Sequence, residues 1–398
     1  MIERGLKRIK WILLFGWVAF IYLCFLYFWR GKILWGSIGE TFFRLFLLFI
    51  FLLINIGLGK KILKWLKFKI EFFLESLLFS LGVGLAIFTF LLIGLGLAGL
   101  FNRWVAHLLL LWAFLFTYKE IEDVISQIKV KFKSITLSRI SSLEIVLFLI
   151  LFIQIIFNLF GALVLPSGWD ALSVHLVMPK EWGRLHRLIR VPYLRFGGNT
   201  PYNIGILYGM ALLIKDAILA KLIHFSFGIL TGIGVYALSK RYFSHRVGLL
   251  ASVIFYTVPI VSWQSTTAYV DLGFTFYAFL AVYAFVNWIN SKRRGWLFIS
   301  AVITGLSLGS KYTGFLWMGI LCLGVLINDL FFKKEKFIVL VKNFSLFTIL
   351  GGLIGSFWYL RSGQSIFRLL YYILKGGMWR KAFAMTGTKA AVDLVSSS

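Results

Sequence analysis

The chain has 398 residues, of which 60% are hydrophobic and 18% aromatic while only 14% are charged. A soluble domain carries about a quarter of its residues as charges, so this composition excludes an ordinary soluble protein. The formal net charge of +27 would suggest nucleic acid in a soluble chain. Here the cations sit between apolar runs, so they report on membrane topology and no nucleic acid partner is expected.

A helix of about 20 apolar residues crosses a hydrocarbon layer about 30 Å thick. The first such run, Trp11 to Trp29, is too long for a secretion signal and lacks a small-residue cleavage site, so it reads as a retained span. Further predicted spans cover 42–59, 77–101, 104–118, 145–165, 218–239, 246–263, 270–290, 296–310, 313–328 and 343–360. These eleven spans predict an all-α, polytopic transmembrane bundle, because backbone groups in lipid must be satisfied within the segment itself.

Cation placement orients the bundle. With a cytoplasmic N-terminus, the inside segments hold Arg4, Lys7, Arg8 and Lys10, then the lysines from Lys60 to Lys69, then Lys119, Lys129, Lys131, Lys133 and Arg139. Later inside loops hold Lys240, Arg241 and Arg246, then Lys292, Arg293 and Arg294, then Lys333, Lys334, Lys336 and Lys342. Short outside connections keep only Arg30, Lys32, Arg44, Arg103 and Lys311. Counting the short apolar stretch 202–214 as a span would move "KRYFSHR" and "SKRR" outside. It is therefore expected as a helix lying on or dipping into the outer face, within one long external loop, 166–217.

Three polar stretches then share the outer side: "LPSGWDALSVHLVMPKEWGRLHR" (165–187), "SWQSTTAYVD" (262–271) and "LGSKYTG" (308–314). Ionisable groups at membrane depth are costly and mark a functional site by default. Asp170 also has a structural reading as a helix N-cap, and Asp271 as a carboxylate at a helix N-terminus. Lys221 lies near the outer end of its span and could snorkel. Arg184, Arg187 and Arg190 recur every third residue, as on a helix face against anionic headgroups. His175 and Glu181 lie five and eleven residues beyond Asp170, so a common helix face is not required. Cys24 and Cys322 fall in different spans and suit core packing, not a disulfide. The small residues of 82–100 favour close helix packing, and no Walker loop or nucleotide fingerprint is present.

The order "GWDALSVHLVMPKEW", "LAKLIH", "TTAYVDLGFTFY", "GLSLGSKYTG" resembles the integral membrane glycosyltransferases of the GT-C fold. The closest branch is that of protein O-mannosyltransferases and aminoarabinose transferases, and the resemblance spans about 145–361. It implies a polyprenyl-phosphate sugar donor, an inverting transfer on the external face, and Asp170 as general base. A positioned carboxylate suits a poor hydroxyl or amide nucleophile, whose proton it accepts in the transition state. Asp271 would orient hydroxyls or help bind a divalent metal, which is possible though no metal-ligand spacing stands out. His175, Glu181, Tyr312 and Lys221 join the expected substrate-binding set. Lys311 is the first choice for the leaving phosphate. The acceptor, whether glycan, lipid or protein, is left open. A transporter or flippase of a lipid-linked or small anionic substrate is the rival reading, although no repeated halves are visible.

Three regions follow. Residues 1–142 are a four-span membrane region ending in a basic cytoplasmic linker, 143–361 the catalytic module, and 362–398 an external tail. That tail reads as truncated, because "FWYLRSGQSIFRLLYYILKGG" only loosely resembles the family's next segment and lacks its Asn and Pro positions. The expected setting is the inner or plasma membrane of the cell, with the site facing outward.

Overall fold

The computed structural model describes residues 35–133, 141–189, 191 and 200–361. The predicted span Trp11–Trp29, Arg190 and the tail 362–398 lie outside the described residues. By its contacts the chain divides into Met1–Leu47 and Leu48–Ser398. Of the first unit, the opening turns of helix α1 (Trp35–Trp65) are described, with an ion pair between Arg44 and Glu40 at 3.7 Å.

The described residues are mostly helical, with no strand among them. After α1 come α2 (Phe73–Leu97), α3 (Arg103–Lys133) and α4 (Ser142–Leu163). A π-helical turn (Ala171–His175) leads into α5 (Val177–Leu185), α6 (Asn203–Ile214) and α7 (Ala217–Tyr242). Then follow α8 (His245–Thr257), α9 (Pro259–Gln264), α10 (Asp271–Ser291), α11 (Arg294–Leu308), α12 (Gly314–Ile327) and α13 (Phe337–Arg361).

Eight helices are long and apolar enough to cross a membrane, α12 being counted with the π-helical turn Asn328–Phe332 that continues it. Two predicted spans are shorter. The segment 246–263 breaks at Val258, whose ψ of 126° is extended, because Pro259 opens α9. Proline disfavours helical backbone at the residue before it and cannot donate to the preceding turn. The segment 296–310 is α11, with 15 residues.

Local signals set several boundaries. Ser141 and Glu144 form a reciprocal capping box at the start of α4. The carboxylate of Asp216 accepts from the Leu219 N–H to cap α7, and Ser244 does the same for Val247 in α8. α6 does not lie on a surface as one form of the expectation had it, since every residue from Asn203 to Ala211 is buried. A helix apolar on all faces is enclosed by protein or lipid, and here protein encloses it.

Packing of α1 against α2 depends on two glycines. A Cβ on Gly59 would fall 1.7 Å from the Ser80 carbonyl oxygen, and one on Gly84 would fall 1.7 Å from that of Asn55. The helices therefore touch backbone to backbone, and neither can accept a methyl without moving apart. Gly84→Ala is expected to lower the thermal unfolding midpoint clearly. Gly94→Ala in the same helix, where nothing lies within 4 Å, should leave it unchanged or slightly raised, because alanine is the better helix former.

At the end of the bundle away from Asp271, one buried acid ties three helices. Glu75 of α2, 1% exposed, accepts at both oxygens from Arg241 Nη1 of α7, at 2.5 and 2.6 Å. It also accepts from the Tyr283 hydroxyl of α10 at 2.6 Å. A charge buried so deeply persists only where it is paired and hydrogen-bonded.

Candidate functional site

The site is built where α10 begins and α11 ends. Asp271 is the first residue of α10, where unpaired N–H groups and the helix dipole favour a carboxylate. Lys311 sits in the turn from α11 to α12 and donates from Nζ to Asp271 Oδ1 at 2.5 Å. The two side chains are 39% and 34% exposed, so the pair opens toward solvent and is not sealed in the core.

That turn is held rigidly. Gly314 packs so closely that a Cβ there would fall 2.4 Å from the Leu308 Cα. Asn203, at the start of α6, is bolted to the end of α11. Its N–H donates to the Gly309 carbonyl at 3.0 Å and its Nδ2 to the Leu306 carbonyl at 3.2 Å. The Trp358 indole N–H of α13 donates to Asn203 Oδ1 at 2.7 Å. The tyrosine beside Lys311, Tyr312, packs on Tyr359 of α13 with ring centroids 5.8 Å apart. Burial, then the neighbouring phenol of Tyr202, pushes the Tyr312 hydroxyl up to about 12, so it stays a protonated donor.

Asp170 and His175 arrive on the π-helical turn. The bond from Leu176 N–H to the Ala171 carbonyl spans five residues, which brings side chains five apart toward the same side. Asp170 makes no capping bond and is exposed, so the N-cap reading does not hold. His175 is the hub. Its imidazole lies within electrostatic range of Asp170, Asp271 and Lys311 together. Burial lowers it to about 4 despite the two carboxylates, with Lys311 adding to the depression. The imidazole is therefore neutral at physiological pH.

Tyr269 joins the loop to the bundle. Its ring lies 5.8 Å from that of His175 and abuts Gly168, where a Cβ would come within 3.0 Å of Tyr269 Cε1. Its carbonyl accepts from the Tyr208 hydroxyl of α6. His224 of α7, fully buried, bonds the same connection through both ring nitrogens. Sequence reasoning assigned nothing to Tyr269, Tyr208 or His224, although "TTAYVD" and "LAKLIH" contain two of them.

Other expected residues sit elsewhere. Glu181 pairs with Arg184 one turn along α5, at 2.8 Å. Lys221, 3% exposed, does not snorkel. Its Nζ donates to the Gly161 and Val164 carbonyls, at 2.9 and 2.6 Å, and so satisfies the C-terminal end of α4. Among the described residues no group of three or more His, Cys, Asp or Glu side chains is arranged to hold a metal.

One cation was missed. Arg361, the last residue of α13, lays its guanidinium over Trp182 and Trp358, 5.9 and 5.7 Å from their ring centroids. Those indoles stack at 5.8 Å and form a buried box with Tyr202. Among the described residues no carboxylate pairs with this guanidinium, and the two indole faces are its recorded partners.

Residues 202–354 match the family model described as dolichyl-phosphate-mannose-protein mannosyltransferase. The match takes in α6 to most of α13, and with them Asp271, Lys311, Tyr312, Lys221 and His224. It covers less than half of the chain, and Asp170 and His175 precede it. No curated protein and no solved structure matches. Together with the membrane-length helices, the match supports an integral membrane glycosyltransferase of GT-C type.

The depressed His175 predicts an acid-sensitive site. An imidazole neutral in the folded chain down to about pH 4 takes up protons more readily when unfolded. Stability from this group is full above about pH 6.5 and is lost as pH falls from there toward 4. The unfolding midpoint should drop between pH 7.5 and pH 5 in the wild type, and drop less in His175→Gln.

Proposed function

We propose that the chain transfers a sugar from a polyprenyl-phosphate donor to an acceptor hydroxyl or amide, on the external face of the membrane, with inversion. The observation that supports this reading is the Lys311–Asp271 ion pair, formed between segments far apart in sequence, with the neutral His175 imidazole in electrostatic range of it and of Asp170. The family match names a lipid-phosphate-linked mannose donor, and a hexose is the substrate class this reading favours.

In the proposed step the acceptor oxygen or nitrogen bonds to the anomeric carbon while the bond from that carbon to the phosphate oxygen breaks. The acceptor proton goes to the Asp170 carboxylate, which is exposed and free of a capping bond. Charge gathers on the departing lipid phosphate. Lys311 answers it, and until the phosphate arrives its ammonium is held in place by Asp271. Arg361 supplies a second, planar cation on its tryptophan platform. Asp271, displaced from Lys311 by the phosphate, becomes available to orient sugar hydroxyls. The neutral His175 accepts or donates a hydrogen bond without adding charge beside either carboxylate.

The test uses purified chain in sealed liposomes with radiolabelled polyprenyl-phosphate mannose, glucose and a pentose, together with a mixed acceptor extract. The expected result is a new glycosidic product and release of polyprenyl phosphate. Movement of labelled solute across the vesicle wall with no bond formed would replace the transferase by a transporter.

A further inference from the structure

We propose that His224 is a positioning residue whose imidazole clamps both ends of the 264–272 connection and thereby fixes Asp271 opposite Lys311. The role rests on the reading of Asp271 and Lys311 as part of the transfer site.

His224 lies in the second turn of α7 and is 0% exposed. Its Nδ1 stands 3.0 Å from the Gln264 carbonyl oxygen and 2.9 Å from that of Thr267. Carbonyl oxygens only accept, so Nδ1 must carry the proton. On the other side of the ring, the Leu272 N–H donates to Nε2 at 3.1 Å, so Nε2 must be bare. The three contacts agree on one neutral tautomer, and a charged imidazole would break the bond to Leu272.

These partners are not scattered. Gln264 ends α9, Thr267 lies in the connection, and Leu272 follows Asp271 in the first turn of α10. The Leu272 N–H is one of the donors a helix start leaves unpaired, and within a membrane protein no water stands ready to take it. One side chain thus closes the end of one helix and the start of the next. The Tyr208 hydroxyl pins the same connection at the Tyr269 carbonyl, so the chain between is held at its ends and its middle. Asp271 lies within electrostatic range of both His224 and Tyr208. An imidazole suits this task because its donor and acceptor point to opposite edges of a rigid ring. A carboxamide carries both on a single carbon, and an alkyl group carries neither.

A buried histidine that only fills space would affect folding and nothing else. The test therefore reads position. Single-turnover transfer from polyprenyl-phosphate mannose is measured for wild type, His224→Ala and His224→Gln, each with and without Asp271→Asn. A shift of the reacting groups by about 1 Å can cost about 10²-fold in rate. The expectation is a loss of that order in His224→Ala with the donor KM little changed, and a smaller loss in His224→Gln. Added imidazole should restore part of the rate in His224→Ala, and more so as pH rises and the neutral form predominates. In the Asp271→Asn background, His224→Ala should add almost nothing. Equal proportional losses in both backgrounds, or no loss at all, would overturn the proposal. Nitrogen NMR of histidine-labelled wild type stands apart from activity and from the fate of any variant. A buried ring protonated at Nδ1 is expected, and one protonated at Nε2 would refute the clamp. If wild type forms no glycosidic bond with any donor, the proposed function fails, while the NMR result still decides whether the clamp exists.

Discussion

Asp170→Asn should slow transfer by about 10²- to 10⁴-fold, the usual contribution of a positioned general base. The amide has nearly the shape of the acid but no basic lone pair at pH 7. Asp170 is exposed at the start of the π-helical turn and makes no capping bond. Replacing it therefore removes no structural partner, and the unfolding midpoint should stay within the small range of surface substitutions. Donor binding should also survive, since the proposed mechanism assigns the phosphate to Lys311 on another element. Full transfer by Asp170→Asn would remove the base from the mechanism. A loss of rate that merely tracked a loss of folded protein would do the same.

The second large effect is expected at Lys311. Removing one group that meets developing charge costs about 10²- to 10³-fold in comparable oxyanion sites. Lys311→Met keeps the length of the side chain and deletes its ammonium. The ion pair with Asp271 is more than a third exposed on the lysine side, and pairs of that kind contribute little to stability, about 0 to 1 kcal/mol. The rate should therefore fall far more than the fold weakens. The double variant Lys311→Met with Asp271→Asn separates two explanations. If Lys311 serves only to neutralise Asp271, removing both charges should recover activity. If it serves the phosphate, the double variant should stay as slow as the single one.

Different parts of this site were legible to different degrees. Asp271 and Lys311 stood out because a charge at the edge of an apolar run has few structural reasons to be there. Their direct pairing across two helices could not be read from residues forty apart. Asp170 was legible as a polar residue after a span, yet its alignment with His175 depends on a π turn, whose extra residue no local propensity announces. Arg361 falls just past the predicted span 343–360, where one cation after a span is unremarkable, and its platform joins tryptophans from α5 and α13, far apart in the chain. His224 looked like one polar residue in an oily helix because its three partners are backbone groups, which carry no sequence signature. Two features were present in the sequence and pointed the other way. Pro259 marks the break in the predicted span 246–263, and the all-round apolar pattern of 203–214 marks an enclosed helix and not a surface one. The membrane-spanning bundle itself was the most legible element, since run length and hydropathy depend on no long-range contact.

The claim on which the account depends is that these separated charges form one receptor for a lipid phosphate. It is tested most directly by equilibrium binding of polyprenyl phosphate, the leaving group alone, to the purified chain in lipid nanodiscs, with unphosphorylated polyprenol as the comparison. Saturable binding of the phosphate is expected, weakened about tenfold or more in Lys311→Met, as the loss of 1.4 kcal/mol or more at a charge-assisted contact implies. Polyprenol itself should bind far more weakly. Equal binding of the two lipids, or binding indifferent to Lys311, would contradict the account.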